Sequence, residues 1–171
     1  MAVRTYWPNV TRLKVLFIAG LLVFAPSAPR AATTTTTFGV QVTISASCVI
    51  NSASTLNFGT QGALIANVDN TSTIQVQCTD TTPYNIGLDA GLGAGASVAS
   101  RKLTNGGNTI TYSLYSDVGH SVVWGTTIGV NTVASTGNGA AQSYTVYGRI
   151  PAQSTPAPAT YSDTITVTVT Y

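Results

Sequence analysis

Glutamate is absent from this chain, charged residues make up only 7% of it, and it holds one histidine, one methionine and two cysteines. Each scarcity closes off a class of function. With His120 alone and five aspartates scattered singly, no ligand set for a metal is visible, and a Ser-His-Asp triad would have one possible base. Single, dispersed acids also give no pair of the kind that cleaves glycosidic bonds. The glycines between positions 91 and 107 do not form a phosphate-binding motif opening a helix. The sequence therefore predicts no catalytic residue, no metal, no cofactor and no small-molecule substrate.

The longest apolar stretch, 15–25, reads as an address rather than part of a fold. It is shorter than the roughly 20 residues of a membrane-spanning helix. Arg4, Arg12 and Lys14 precede it, and Pro26, Ser27, Ala28, Pro29 and small residues to Ala32 follow. That is the succession of a secretory signal over residues 1–32, with cleavage between 28 and 32. The chain is expected to be exported by the general secretory route. Removing the signal takes four of the seven basic residues with it. Arg101, Lys102 and Arg149 then stand against Asp69, Asp80, Asp89, Asp117 and Asp163, a net charge of −2. No basic patch remains to hold nucleic acid. About 139 residues are left, enough for one domain with a core.

What is abundant is valine, isoleucine, threonine and tyrosine, the residues of pleated strands. The fold class is all-β. Phe38, Val40, Val42 and Ile44 alternate with Gly39, Gln41, Thr43 and Ser45, and the same phase continues to Ala46 and Cys48. A second strand, 72–78, puts Ile74, Val76 and Cys78 on one face. Further candidates are 83–89, 109–116, 121–124 and 142–150, with turns at Asn105-Gly106-Gly107 and Asn138-Gly139. Short strands without helical period predict a two-sheet sandwich. Each cysteine falls on the apolar side of its strand and the compartment is oxidising, so Cys48 and Cys78 are expected to be bonded.

The last run, 161–171, matters most. Ile165, Val167, Val169 and Tyr171 alternate with Thr164, Thr166, Thr168 and Thr170, and no further strand follows in this sequence. A strand that is apolar on one face and open along one edge invites another chain to complete it.

Other conspicuous residues have ordinary explanations. Asp117-Val-Gly-His120 sits in a short turn, where a solvated histidine is common. Tyr112, Tyr115, Trp124, Tyr144 and Tyr147 could form a sugar platform, but at strand spacing such rings are more often core and cross-strand packing. Arg101 and Arg149 read as structural donors to backbone or to an acid.

Taken in order, certain motifs resemble the spore coat protein U domain family, which includes pilin subunits of archaic (Csu-type) chaperone–usher pili. They are Phe38-Gly-Val-Gln-Val ahead of Cys48, Leu56-Asn-Phe58-Gly59, Val76-Gln-Cys78, Tyr84-Asn-Ile-Gly-Leu88, Arg101-Lys-Leu103, Tyr112-Ser-Leu-Tyr115, Trp124-Gly125, Tyr147-Gly-Arg-Ile-Pro151 and Tyr161-Ser-Asp163 before the terminal strand. The resemblance covers nearly all of the mature chain. It implies an immunoglobulin-like sandwich lacking its last strand, completed by donor-strand complementation. It also implies three partners: a periplasmic chaperone that lends a strand, an outer-membrane usher, and neighbouring pilin subunits joined head to tail in a surface fibre.

Carried onto this chain, Phe38, Val40, Val42 and Ile44 would be the donor side chains, within a segment 33–47 that merges into the first strand. Residues 48–171 would be the pilin domain. Ile165, Val167, Val169 and Tyr171 would form the groove wall where a chaperone docks. The expected function is a structural subunit supporting adhesion or biofilm formation. The alternatives are a surface adhesin binding a glycan or abiotic surface, or a spore coat component assembled in the same way.

Overall fold

Strand-forming residues build antiparallel strands from Cys48 onward in this computed structural model, which describes residues 28–171. The expected signal lies outside the described residues as far as residue 27. The chain divides into two units, Met1–Gln41 and Val42–Tyr171. In the first, residues 28–41 are exposed and hold no strand. The second contains the strands β1 (Cys48–Ala53), β2 (Val68–Cys78), β3 (Pro83–Leu88), β4 (Arg101–Asn105), β5 (Asn108–Tyr115), β6 (Val133–Thr136), β7 (Ala141–Ile150) and β8 (Val167–Thr170). No helix occurs among the described residues.

The strands form two sheets, ordered β1-β2-β7-β5-β4 and β6-β3-β8, with every pairing antiparallel. The longest ladder runs unbroken from Val68↔Ile150 to Gln77↔Ala141. Period-two burial follows from it: Ile74, Val76 and Cys78 are buried, while Thr73 and Gln77 face solvent. Between the sheets lie Ile74, Val76, Tyr84, Ile86, Leu88, Tyr112, Leu114, Trp124, Val146 and Ile150. Cys48 stands opposite Cys78 in the β1–β2 register, and the two are bonded with their Cα atoms 4.1 Å apart. On the chain-entropy account a loop of this length stabilises the fold by about 3–4 kcal/mol.

Several elements differ from the sequence reading. The alternating run from Phe38 is not a strand in this structure; the first strand begins at Cys48. Alternation makes a segment suitable for a ladder, but a strand exists only where another supplies its hydrogen bonds. The candidate at 121–124 is reduced to one bridge, Tyr115↔Val123. The terminal strand shortens to Val167–Thr170, because 162–166 is spent crossing from one sheet to the other. β4 and β6 were not anticipated. β4 opens with Arg101 and Lys102, which mask its apolar signal, and β6 is four residues long. The turn at Asn105-Gly106-Gly107 is present as the β4–β5 hairpin, with Gly106 at φ +55°.

Candidate functional site

The two sheets do not close on each other along one side. β8 pairs with β3 through Asn85↔Thr170 to Leu88↔Val167, and its other edge has no partner among the described residues. β1 is likewise the last strand of its sheet. Along β8, Ile165, Val167 and Val169 are half-buried and pack against the core, while Thr164, Thr166, Thr168 and Thr170 are exposed. Tyr171 lies beyond the strand and is 60% exposed.

Beside this wall is a cleft of about 300 Å³, lined by the apolar Leu56, Phe58, Ile74, Leu88, Leu103, Tyr112, Leu114, Val146, Ile165 and Val167 together with Ser54, Thr55, Ser72, Asp163 and Thr164. A second cleft of about 490 Å³ shares Leu56, Phe58, Leu103 and Asp163 with it and continues between the loops 55–64 and 155–163. A well-packed interior leaves few voids larger than a water molecule. This one is a groove open to solvent, floored by β2, β5 and β7 and walled by the approach to β8. Phe58 meets Tyr112 edge to face at 6.3 Å.

The sequence reading expected a wall at Ile165, Val167, Val169 and Tyr171 and assigned no cleft role to Leu56 or Phe58, both of which line the cleft. Leu56 and Phe58 lie outside any strand, so no periodicity marks them. Their space is provided by Gly148, where a Cβ would come within 2.6 Å of Leu56 Cδ1. Phe38, Val40, Val42 and Ile44 are 86%, 86%, 80% and 75% exposed, an unusual state for four apolar residues so close together.

Arg101 ties together the backbone around Leu88, one of the cleft-lining residues. It is fully buried, and its guanidinium donates to four carbonyl oxygens: Nε to Asp89 (2.8 Å), Nη1 to Val98 (2.7 Å), and Nη2 to Leu88 (3.0 Å) and Trp124 (2.7 Å). Burial lowers its pKa, and the charges of Tyr112, Asp89 and Asp163 act in the opposite sense. Arg149 donates through two nitrogens to Asp69, at 2.7 Å each, and this bond holds the Asp69 carboxyl below its ordinary range.

His120 is not solvated, contrary to the expectation for its turn. Its side chain is 9% exposed and sits edge-on to the rings of Tyr115 and Tyr147, at 5.2 and 6.2 Å. The Asp117 carboxylate, accepting from Ser121 N, Ser121 Oγ and Val122 N, shapes the loop that carries it there. Tyr112 and Trp124 are core residues, and Tyr144 bonds Ser135 Oγ at 2.8 Å. No group of three or more metal-binding side chains gathers among the described residues.

Comparison with known proteins gives this groove a context. Protein U of Myxococcus xanthus is 34% identical over 168 residues, covering 90% of this chain and 92% of that protein. The fold is similar to the crystal structure of the CsuC–CsuE chaperone–tip adhesion subunit pre-assembly complex from archaic chaperone–usher Csu pili of Acinetobacter baumannii. The TM-score is 0.56 at 24% identity, over 75% of this chain and 40% of the chain it matches. The Spore Coat Protein U domain matches residues 34–168. The chain with the open groove thus belongs to the spore coat protein U domain family.

Proposed function

We propose that this chain is a structural subunit of a surface fibre that polymerises by donor-strand exchange. The observation that carries the reading is the open edge of β8 beside a groove lined mainly by apolar residues. Phe38, Val40, Val42 and Ile44 of one copy enter the groove of the next, and Ile165, Val167 and Val169 form its wall, with Tyr171 at the free end. Burying four such side chains gains roughly 6–12 kcal/mol gross. A row of main-chain bonds along β8 fixes register and adds to this. Donor and acceptor lie on different parts of the chain, so the contact is head to tail, does not close, and yields a filament. Before assembly a periplasmic chaperone fills the groove, and an outer-membrane usher collects the complex; the finished fibre is extracellular and serves adhesion or biofilm formation.

No catalytic constellation accompanies the groove, and the reading assigns the chain no enzymatic activity. The test is to purify the exported protein with and without a co-expressed periplasmic pilus chaperone. A soluble one-to-one complex that converts to ladders of multimers when chaperone is withdrawn supports the proposal. A stable monomer with full exchange protection along β8 overturns it.

A further inference from the structure

We propose that Asp89 and Asp163 form a clamp that holds the groove wall in its acceptor position before any donor arrives; this rests on the donor-strand reading above. β8 is laddered to β3 only from Val167 to Thr170. A four-residue strand with one open edge is a weak element, and at its far end Thr170 and Tyr171 are both exposed.

The near end is built differently. Residues 162–166 cross from the five-stranded sheet to the three-stranded one, bonded at both ends. Thr104 N donates to Ser162 O at 2.9 Å and Ser162 N to Thr104 O at 3.2 Å, while Asp89 N donates to Thr166 O at 3.2 Å. Two carboxylates fasten the crossing. Asp89 Oδ1 accepts from Thr166 N at 2.9 Å and from Gly91 N at 3.0 Å. Asp163 Oδ1 accepts from Leu92 N and Thr164 N, each at 2.8 Å. Asp163 Oδ2 accepts from the hydroxyl of Tyr112 at 2.7 Å, and Tyr112 reaches it from inside the sandwich, only 4% exposed.

The arrangement requires glycine at position 91. Its φ is +78°, and a Cβ there would fall 2.1 Å from Asp163 Oδ2. Every bond in the clamp is made within one copy, so none waits for a partner. The clamp sits beside Ile165 and Val167, the wall residues that line the 300 Å³ cleft. A wall fixed there presents a formed cleft to an incoming strand; a released wall can fold into the cleft and close it. Asp89 and Asp163 are positioning residues, acting on the donor through β8.

The test uses the mature chain, disulfide intact, refolded at low concentration, with a synthetic peptide of residues 34–46 as donor. The variants are Asp163→Ala, Asp89→Ala and Gly91→Ala, which displaces the carboxylate without removing its charge. Asp80→Ala is the control, an exposed acid whose Oδ1 accepts only from its neighbour Thr81 N. Loss of charge-assisted hydrogen bonds implies amide exchange across 164–170 faster by about tenfold or more, with β2 and β7 unchanged. Peptide uptake slows by about the same factor. Once filled, variants and parent show equal protection of β8, because the donor ladder replaces the clamp.

Unaltered exchange across 164–170, or acceleration shared equally by β2 and β7, overturns the clamp. If Asp163→Ala and Asp89→Ala do not fold, Gly91→Ala and Asp163→Asn, whose amide nitrogen cannot accept from the Tyr112 hydroxyl, are read by the same two criteria. Should the parent take up no peptide, the donor-strand reading fails, and the exchange result still decides the clamp.

Discussion

Leu56 fills the space beside Gly148, its Cδ1 atom 2.6 Å from where a Cβ on that glycine would lie, with Phe58 Cζ at 3.0 Å. The loop that carries Leu56 and Phe58 is therefore seated on β7 at Gly148, where the strand has no side chain. Gly148→Ala should push both side chains toward the open cleft. The neighbour that must yield is the far end of a flexible leucine, so the cost is at the low end of overpacking, about 1 kcal/mol. Gly148→Val should cost about 3 kcal/mol and narrow the cleft. Urea midpoints of the two variants, taken on the donor-filled protein, check the ranking; equal midpoints would show that the loop is not seated on β7.

Arg101 makes the sharpest prediction about the frame. Replacing it with methionine keeps much of the volume and leaves the carbonyls of Leu88, Asp89, Val98 and Trp124 without their donor. Buried acceptors left unmatched cost about 1–3 kcal/mol each, so the variant should not accumulate. Arg101→Lys should rescue only partly. A compact ammonium has three donors and cannot reach four acceptors arrayed around a planar fork. Periplasmic yields of the three proteins, in the order Arg, Lys, Met, are the measurement.

Acid should weaken the fold. At Asp69 the bond from Arg149 lowers the pKa. At Asp89 burial raises it, but the bonds from Thr166 and Gly91 and the charge of Arg101 together outweigh burial, so the carboxyl ends below its ordinary range. A carboxyl depressed in the folded state contributes stability above its unfolded pKa near 4, and that stability is lost as pH falls through the folded value. The Asp69 side chain is 42% exposed, so its pair is screened and worth about 0.2–1 kcal/mol. Urea midpoints should be level from about pH 7 to 5 and fall below about pH 4. A midpoint that rose in acid would contradict the bonding described, and Asp89→Asn should flatten the acid limb.

The legible parts of this fold were those in which one residue type repeats on one face. The phase of Ile74, Val76 and Cys78 gave β2, its inward face and the disulfide partner; the threonine alternation gave β8 its half-buried face. What stayed hidden depends on contacts between distant segments. Leu56 and Phe58 belong to the groove because Gly148 makes room for them 92 and 90 positions away. β4 is masked by a cation whose burial is made possible by carbonyls of β3, a loop and Trp124. Asp163 reads in sequence only as one of five dispersed acids, and only the crossing of 162–166 brings it to Tyr112. His120 likewise looked solvated until its loop folded between two tyrosines.

The last prediction separates donor from acceptor. Asp at both positions 40 and 42, through Val40→Asp with Val42→Asp, puts charges where apolar side chains are to enter a neighbour's groove. Burying an unpaired charge costs several kcal/mol, enough to abolish a contact whose gross gain is of similar size. In this structure both valines are exposed, so the subunit itself should lose nothing: it should fold with its chaperone, form the Cys48–Cys78 bond and fail to extend a fibre. Val167→Asp is the opposite case. Val167 is half-buried against the core and lines the subunit's own cleft, so that chain should be degraded before assembly. Immunoblots of periplasm and of sheared surface fibres distinguish the two. Equal loss of both proteins in the periplasm would make 38–44 an internal strand of the folded subunit and remove its role as donor.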